Sequence, residues 1–174
     1  SQGGETIFIS GAFGTVTMGD TDGGFDWGMS EIPVGPGTID DLEEGIGFNG
    51  NAGLDGTYDG QIVRYDNTFG AFGVAVSAEI DDTAGAAGGD PVLGLGLRYS
   101  VADFDLGFGY QTVSSAANVD TSVTGISVGT SLNGIEIGLM YSVKDASNQA
   151  EDETHVGIGF GYSVDAWSFG ASYG

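Results

Sequence analysis

The chain has 174 residues, enough for one domain. It carries only three basic residues, Arg64, Arg98 and Lys144, against 25 acidic ones, for a formal charge of −22. No nucleic-acid-binding face can be built from that set, and the absence of cysteine excludes disulfides, thiolate catalysis and zinc–sulfur sites. Disorder is the natural rival for such acidity, but 40% of the residues are hydrophobic and 11% aromatic, and they fall in regular patterns. No stretch approaches the roughly 18 apolar residues of a membrane-spanning helix. A membrane role therefore requires a closed barrel, because bare sheet edges cannot face lipid. The opening Ser1–Gly4 does not look like a signal peptide and reads as the interior of something longer.

In chain order, Glu5–Ser10 reads as a strand end, Gly11–Gly14 as a tight turn, and Thr15–Gly19 as the returning strand. Residues 20–59 then break the pattern. This stretch is rich in glycine, has no sustained period, and holds Pro33, Pro36 and ten acids. A structureless loop of that length is uncommon in a compact domain and is usually functional or disordered; the functional reading is preferred here. Gly60–Asn67 is the next strand, and Thr68–Ala71 turns it. In the return strand Phe72, Val74, Val76, Ala78 and Ile80 alternate with Gly73, Ala75, Ser77 and Glu79. After the acidic loop 81–90, Leu93, Leu95, Leu97 and Tyr99 oppose Gly94, Gly96 and Arg98. Phe104, Leu106, Phe108 and Tyr110 then oppose Asp105, Gly107, Gly109 and Gln111.

Val119–Thr130 is a weaker strand whose apolar phase shifts between Val123 and Ile126, which predicts a bulge near Gly125. Leu132-Asn133-Gly134 is a strong hairpin turn. Beyond it, Ile135–Lys144, His155–Tyr162 and Trp167–Tyr173 each alternate again. The expectation is an all-β antiparallel meander of ten strands, with short turns at one end and longer acidic loops at the other. That asymmetry is the pattern of outer-membrane barrels.

Alternation alone also fits a soluble sandwich with the apolar face as its core. Lipid is favoured because the apolar face is uniform, aromatics sit near strand ends, and the strands are long enough to span a bilayer. The opposite face is mainly glycine, serine and single charges. Each such glycine costs roughly 0.5–1 kcal/mol relative to alanine, but together they clear space that a loop packed in the bore needs. Phe72, Leu95, Phe108, Leu139, Ile158 and Phe169 are expected outside; Gly96, Gly109, Glu136 and Gly159 are expected inside.

Catalysis finds little support. His155 is the lone histidine, beside an acidic loop, and no triad can be assembled. The adjacent pairs Asp40/Asp41 and Glu43/Glu44 do not establish the facing carboxylates of a glycosidase. Asp20, Asp22, Asp26 and Glu31 fall at positions 1, 3, 7 and 12 of a calcium-loop count, but Phe25 stands where the loop's glycine must be, so no EF-hand forms. The four remain candidate ligands of a looser calcium site, the one cofactor the sequence suggests.

Ser10-Gly11-Ala12-Phe13-Gly14, followed by a strand ending Met18-Gly19-Asp20, resembles the hairpin before the constriction loop in general porins of alphaproteobacteria. Thr68–Phe72 looks like that family's next periplasmic turn. The resemblance implies a sixteen-stranded trimeric barrel in the bacterial outer membrane, whose third external loop folds inward as an eyelet. On that reading the chain is one barrel domain, partial, lacking about six strands and the usual terminal aromatic. Residues 20–59 are the eyelet, and Asp40, Asp41, Glu43 and Glu44 line the constriction opposite Arg64. Arg98 sits near a turn and Lys144 near the outer rim. The implied function is passive diffusion of small hydrophilic solutes and ions through a homotrimer in the lipid bilayer, with cations preferred and no enzymatic step. The alternatives are a plugged structural or adhesive barrel and a secreted, acidic calcium-binding β-domain.

Overall fold

Ten strands form one antiparallel sheet in chain order, with β1 and β10 at its edges. They are β1 (Thr6–Gly11), β2 (Gly14–Asp20), β3 (Gln61–Phe69), β4 (Phe72–Glu79) and β5 (Val92–Val101), then β6 (Phe104–Ser114), β7 (Asp120–Leu132), β8 (Ile135–Ala146), β9 (Glu153–Val164) and β10 (Trp167–Tyr173). Among the described residues one short helix, α1 (Gly24–Gly28), lies between β2 and β3. The computed structural model describes residues 4–30, 53–58, 61–81 and 89–174. The strands from β5 to β9 run 10 to 13 residues, sufficient for a tilted crossing of a bilayer.

Each hairpin at one end closes through two residues. Asn133 and Gly134 both have positive φ, 51° and 79°, the backbone of a type I′ turn that follows the twist of its strands. The similar segments Tyr99–Phe104 and Tyr162–Trp167 adopt one solution. Ala102 and Asp165 each take φ 52°, and their strands end at Val101 and Val164.

Register fixes the faces. One cross-sheet row runs Arg64, Ser77, Gly94, Gln111, Val123 and another Asp66, Ala75, Gly96, Gly109, Gly125, Ser142. This glycine-rich side is called the inner face. The other carries Phe72, Leu139, Ile158 and Phe169, all exposed, with Leu95 and Phe108 half-buried among their neighbours. Large apolar side chains left in contact with solvent over all ten strands are what lipid must cover. Phe69 pairs with Phe72 and Phe72 with Tyr99, while Phe169 pairs with Tyr162. These pairs put an aromatic band at the short-turn end. Tyr141 instead sits in mid-strand on β8.

The bulge expected near Gly125 is not there. Pairing of β7 with β6 and with β8 runs without interruption through Gly125. The apolar phase shifts because Val123 is an inward residue, fully buried, while Ile126 faces outward. Val123 belongs to an interior cluster with Phe25, Met29, Leu54, Val92, Val113 and Met140. That cluster lies on the inner face, where a bore with no loop in it would be polar.

Candidate functional site: the contact between loop and wall

Helix α1 has five residues, too few to be stable alone. It persists because the wall receives it at backbone distance. Gly24 and Gly28 are four apart and so share one side of the helix. A Cβ at Gly24 would stand 2.9 Å from the carbonyl carbon of Gly94, and one at Gly28 would stand 2.7 Å from Cα of Gly96. In the opposite sense, a Cβ on Gly96 would strike the carbonyl oxygen of Gly24 and approach Cα of Gly28 to 3.0 Å. Gly109 and Gly125 make room for the Phe25 ring, and a Cβ there would meet it at 2.6 and 2.8 Å. Full burial of Phe25 and Met29 contributes about 1.5–3 kcal/mol each.

Polar groups of the wall then take up the loop's backbone donors. The amide of Gly24 donates to Ser77 Oγ at 2.7 Å, and that of Ser30 to Ser127 Oγ at 2.7 Å. The amide of Tyr58 donates to Glu79 Oε1 at 2.8 Å. Gln111, almost wholly buried, ties the returning limb: its Oε1 accepts from the Leu54 amide at 2.6 Å, and its Nε2 donates to Asp55. Asp55 also accepts from the Gly23 amide at 2.6 Å. One carboxylate therefore joins both limbs of the segment to β6.

Burial pushes Asp55 up to about 7, with Glu79 and Asp22 adding like-charge repulsion, against the opposing hydrogen bonds from Gly23 and Gln111. The docked form thus binds the proton more tightly than a released loop, in which the carboxyl returns towards its usual value near 3.8. Its contribution to docking is fully present below about pH 4, falls as pH rises, and is lost above about 7. In a Trp167→Phe background, Trp27 emission should titrate across this window, and Asp55→Asn should abolish that response. Wild-type emission unchanged from pH 4 to 8 would contradict the assignment.

Arg64 on β3 faces inward with little exposure and donates to Asp66 Oδ1 at 3.1 Å and to the Asp22 carbonyl at 2.6 Å. Its Nη1 lies 3.8 Å from Asp22 Oδ2. Arg98, expected only near a turn, also faces the loop, and its guanidinium stacks 4.4 Å over the Trp27 ring. Two arginines of the wall therefore meet the start of the segment. Lys144 pairs with Glu153 at 3.4 Å, at the long-loop end of β8.

Of the other candidate residues, Asp40, Asp41, Glu43, Glu44 and Glu31 lie outside the described residues. Asp20 accepts from the Gly4 amide at 2.8 Å, Asp22 turns to Arg64, and Asp26 lies in the first turn of α1. Among the described residues no group of three or more such side chains is close enough to share a metal ion. Ser77, Glu79, Gln111 and Ser127 were not singled out from sequence. Their signal was slight, a polar side chain at an inner-face position among glycines.

A porin structure refined at 1.8 Å superposes with a TM-score of 0.52 at 19% identity, over 96% of this chain and 73% of that one. An OmpT of Vibrio cholerae lacking loop L8, an outer membrane protein, aligns over 97% of this chain and 74% of its own at 15% identity, with a TM-score of 0.47. No curated protein matches the chain. The sequence profile of the Gram-negative porins matches residues 2–174. With its lipid-type outer face and glycine-lined inner face, the chain belongs to the Gram-negative porin family and is a protein of the bacterial outer membrane, a pore-former and not an enzyme.

Proposed function

We propose that the protein is a passive pore for small hydrophilic solutes and ions, with residues 20–59 folded inward as its constriction, a preference for cations, and a trimeric assembly. The observation that carries this reading is the backbone-distance seating of α1 on Gly94, Gly96 and Gly107 of the inner face. A segment held there takes up part of the bore without filling it with large wall side chains. Carboxylates near this contact, Asp22, Asp26, Asp66, Glu79 and Asp105, outnumber Arg64 and Arg98, and low-dielectric walls focus their field on a passing ion.

The test is functional. Purified intact protein added to a planar bilayer should give stepwise ohmic conductance, and liposomes containing it should swell in an isotonic monosaccharide. Silent bilayers and unswollen liposomes would indicate a plugged barrel. A heat-dissociable trimer on a denaturing gel is expected; a monomer at all temperatures would refute the assembly.

A further inference from the structure

A cavity of about 500 Å³ opens at the short-turn end of the loop–wall contact. Its polar lining is Asp22, Asp26 and Ser30 from the loop side, Arg98 and Ser100 from β5, and Asp105 from β6. The volume is within the range of sites that enclose small molecules, about 300–1,000 Å³.

The charges are arranged with both signs. Ser100 and Asp105 are directly opposed in the sheet, and Ser100 Oγ donates to Asp105 Oδ1 at 2.6 Å. Arg98 pairs with Gly107, so it stands diagonally from Asp105, a placement that sets the two residues about 7–8 Å apart, within reach of a long side chain. The face of the Arg98 guanidinium is covered by Trp27, which leaves its edge as the hydrogen-bonding side. Among the described residues no acceptor takes an Arg98 N–H, although the side chain is exposed. Asp22 and Asp26 are close enough to act on its charge, as is Arg64 in the repulsive sense.

An arginine edge of this kind is suited to a carboxylate, which it grips with two parallel N–H donors. A simple anion is nevertheless disfavoured, because Asp22, Asp26 and Asp105 surround the same space. A solute that brings its own cation removes that conflict.

We infer that this cavity is a binding station for small solutes with a carboxylate at one end and a cationic group at the other, of the basic amino acid class. Arg98 takes the carboxylate, and Asp26 and Asp105 take the distal ammonium. The station rests on the pore reading for its role, a stopping point beside the permeation path, but its ligand preference is measurable separately.

The experiment is calorimetric titration of the detergent-solubilised intact protein, at low salt, with L-lysine, cadaverine and L-glutamate. L-Lysine should bind saturably, cadaverine about tenfold more weakly for lack of a carboxylate, and L-glutamate not measurably. Arg98→Gln should reduce L-lysine affinity about tenfold, and leave cadaverine unchanged or bound more tightly, because a repelling cation is removed. Asp26→Asn, on the loop and outside the sheet, should weaken both by similar factors and guards against a folding defect in the wall variant. Absence of saturable L-lysine binding, L-glutamate binding as tight as L-lysine, or equal loss of L-lysine and cadaverine in Arg98→Gln would each overturn the station. Saturable binding by a protein that opens no channel would support the station and refute the pore, whereas a conducting pore without binding would do the reverse.

Discussion

Gly96→Val should shift the α1 segment on the wall and change single-channel conductance by a factor on the order of two, while Gly129→Val on the same face should leave it unchanged. The contrast comes from what a side chain meets at each position. At Gly96 it meets backbone, the Gly24 carbonyl and the amide and Cα of Gly28, and backbone has no flexible end to swing away. Overpacking of this kind costs typically 1–3 kcal/mol. Phe25 and Met29, buried because α1 is seated, would forfeit about 1.5–3 kcal/mol each if the segment let go, so the strain is relieved by a shift of α1 along the wall and not by its release. At Gly129 the nearest atom is Ser30 Cβ at 4.0 Å, an ordinary contact. Valine suits a strand, so the sheet tolerates both changes, and heat-modifiable gel mobility checks that it does. Equal conductance in the two variants would mean that the seated segment does not set the pore's width.

Asp40→Asn, Asp41→Asn, Glu43→Gln and Glu44→Gln combined should lower the cation preference by half or more. The reversal potential in a tenfold KCl gradient measures this. The four are among ten acids between Asp20 and Asp59. Others in that stretch have protein partners: Asp22 faces Arg64 and Asp55 is hydrogen-bonded and buried. Arg98 now adds to Arg64 as an opposing charge, so the selectivity depends more heavily on acids other than these. The Debye length is about 8 Å at physiological salt, comparable with a narrow neck, and the preference should therefore weaken at high salt and as pH falls through the carboxylate range. An anion-selective wild type, or a potential that the four amides do not move, would reject the loop as the selectivity element.

The sequence by itself determined the sheet and its two faces. A period of two is a local property, readable over one strand at a time, and it assigned Phe72, Leu139, Ile158 and Phe169 outward and Gly96 and Gly109 inward. Turn chemistry is equally local, as Asn133-Gly134 and the paired segments Tyr99–Phe104 and Tyr162–Trp167 demonstrate. The glycines of the inner face even implied that something close-packed had to lie against them. Only the tertiary structure decided what that was. Gln111 meets Leu54 and Asp55 across more than fifty residues of chain, and Gly24 meets Ser77 across as many; no local period encodes such pairs. The same long-range contact made Val123 an inward apolar residue in a continuous ladder instead of the sign of a bulge. It also brought Arg98 under Trp27. Strand pattern reports which side of the sheet a residue occupies; which loop side chain it meets there depends on how the segment between β2 and β3 folds back onto the wall.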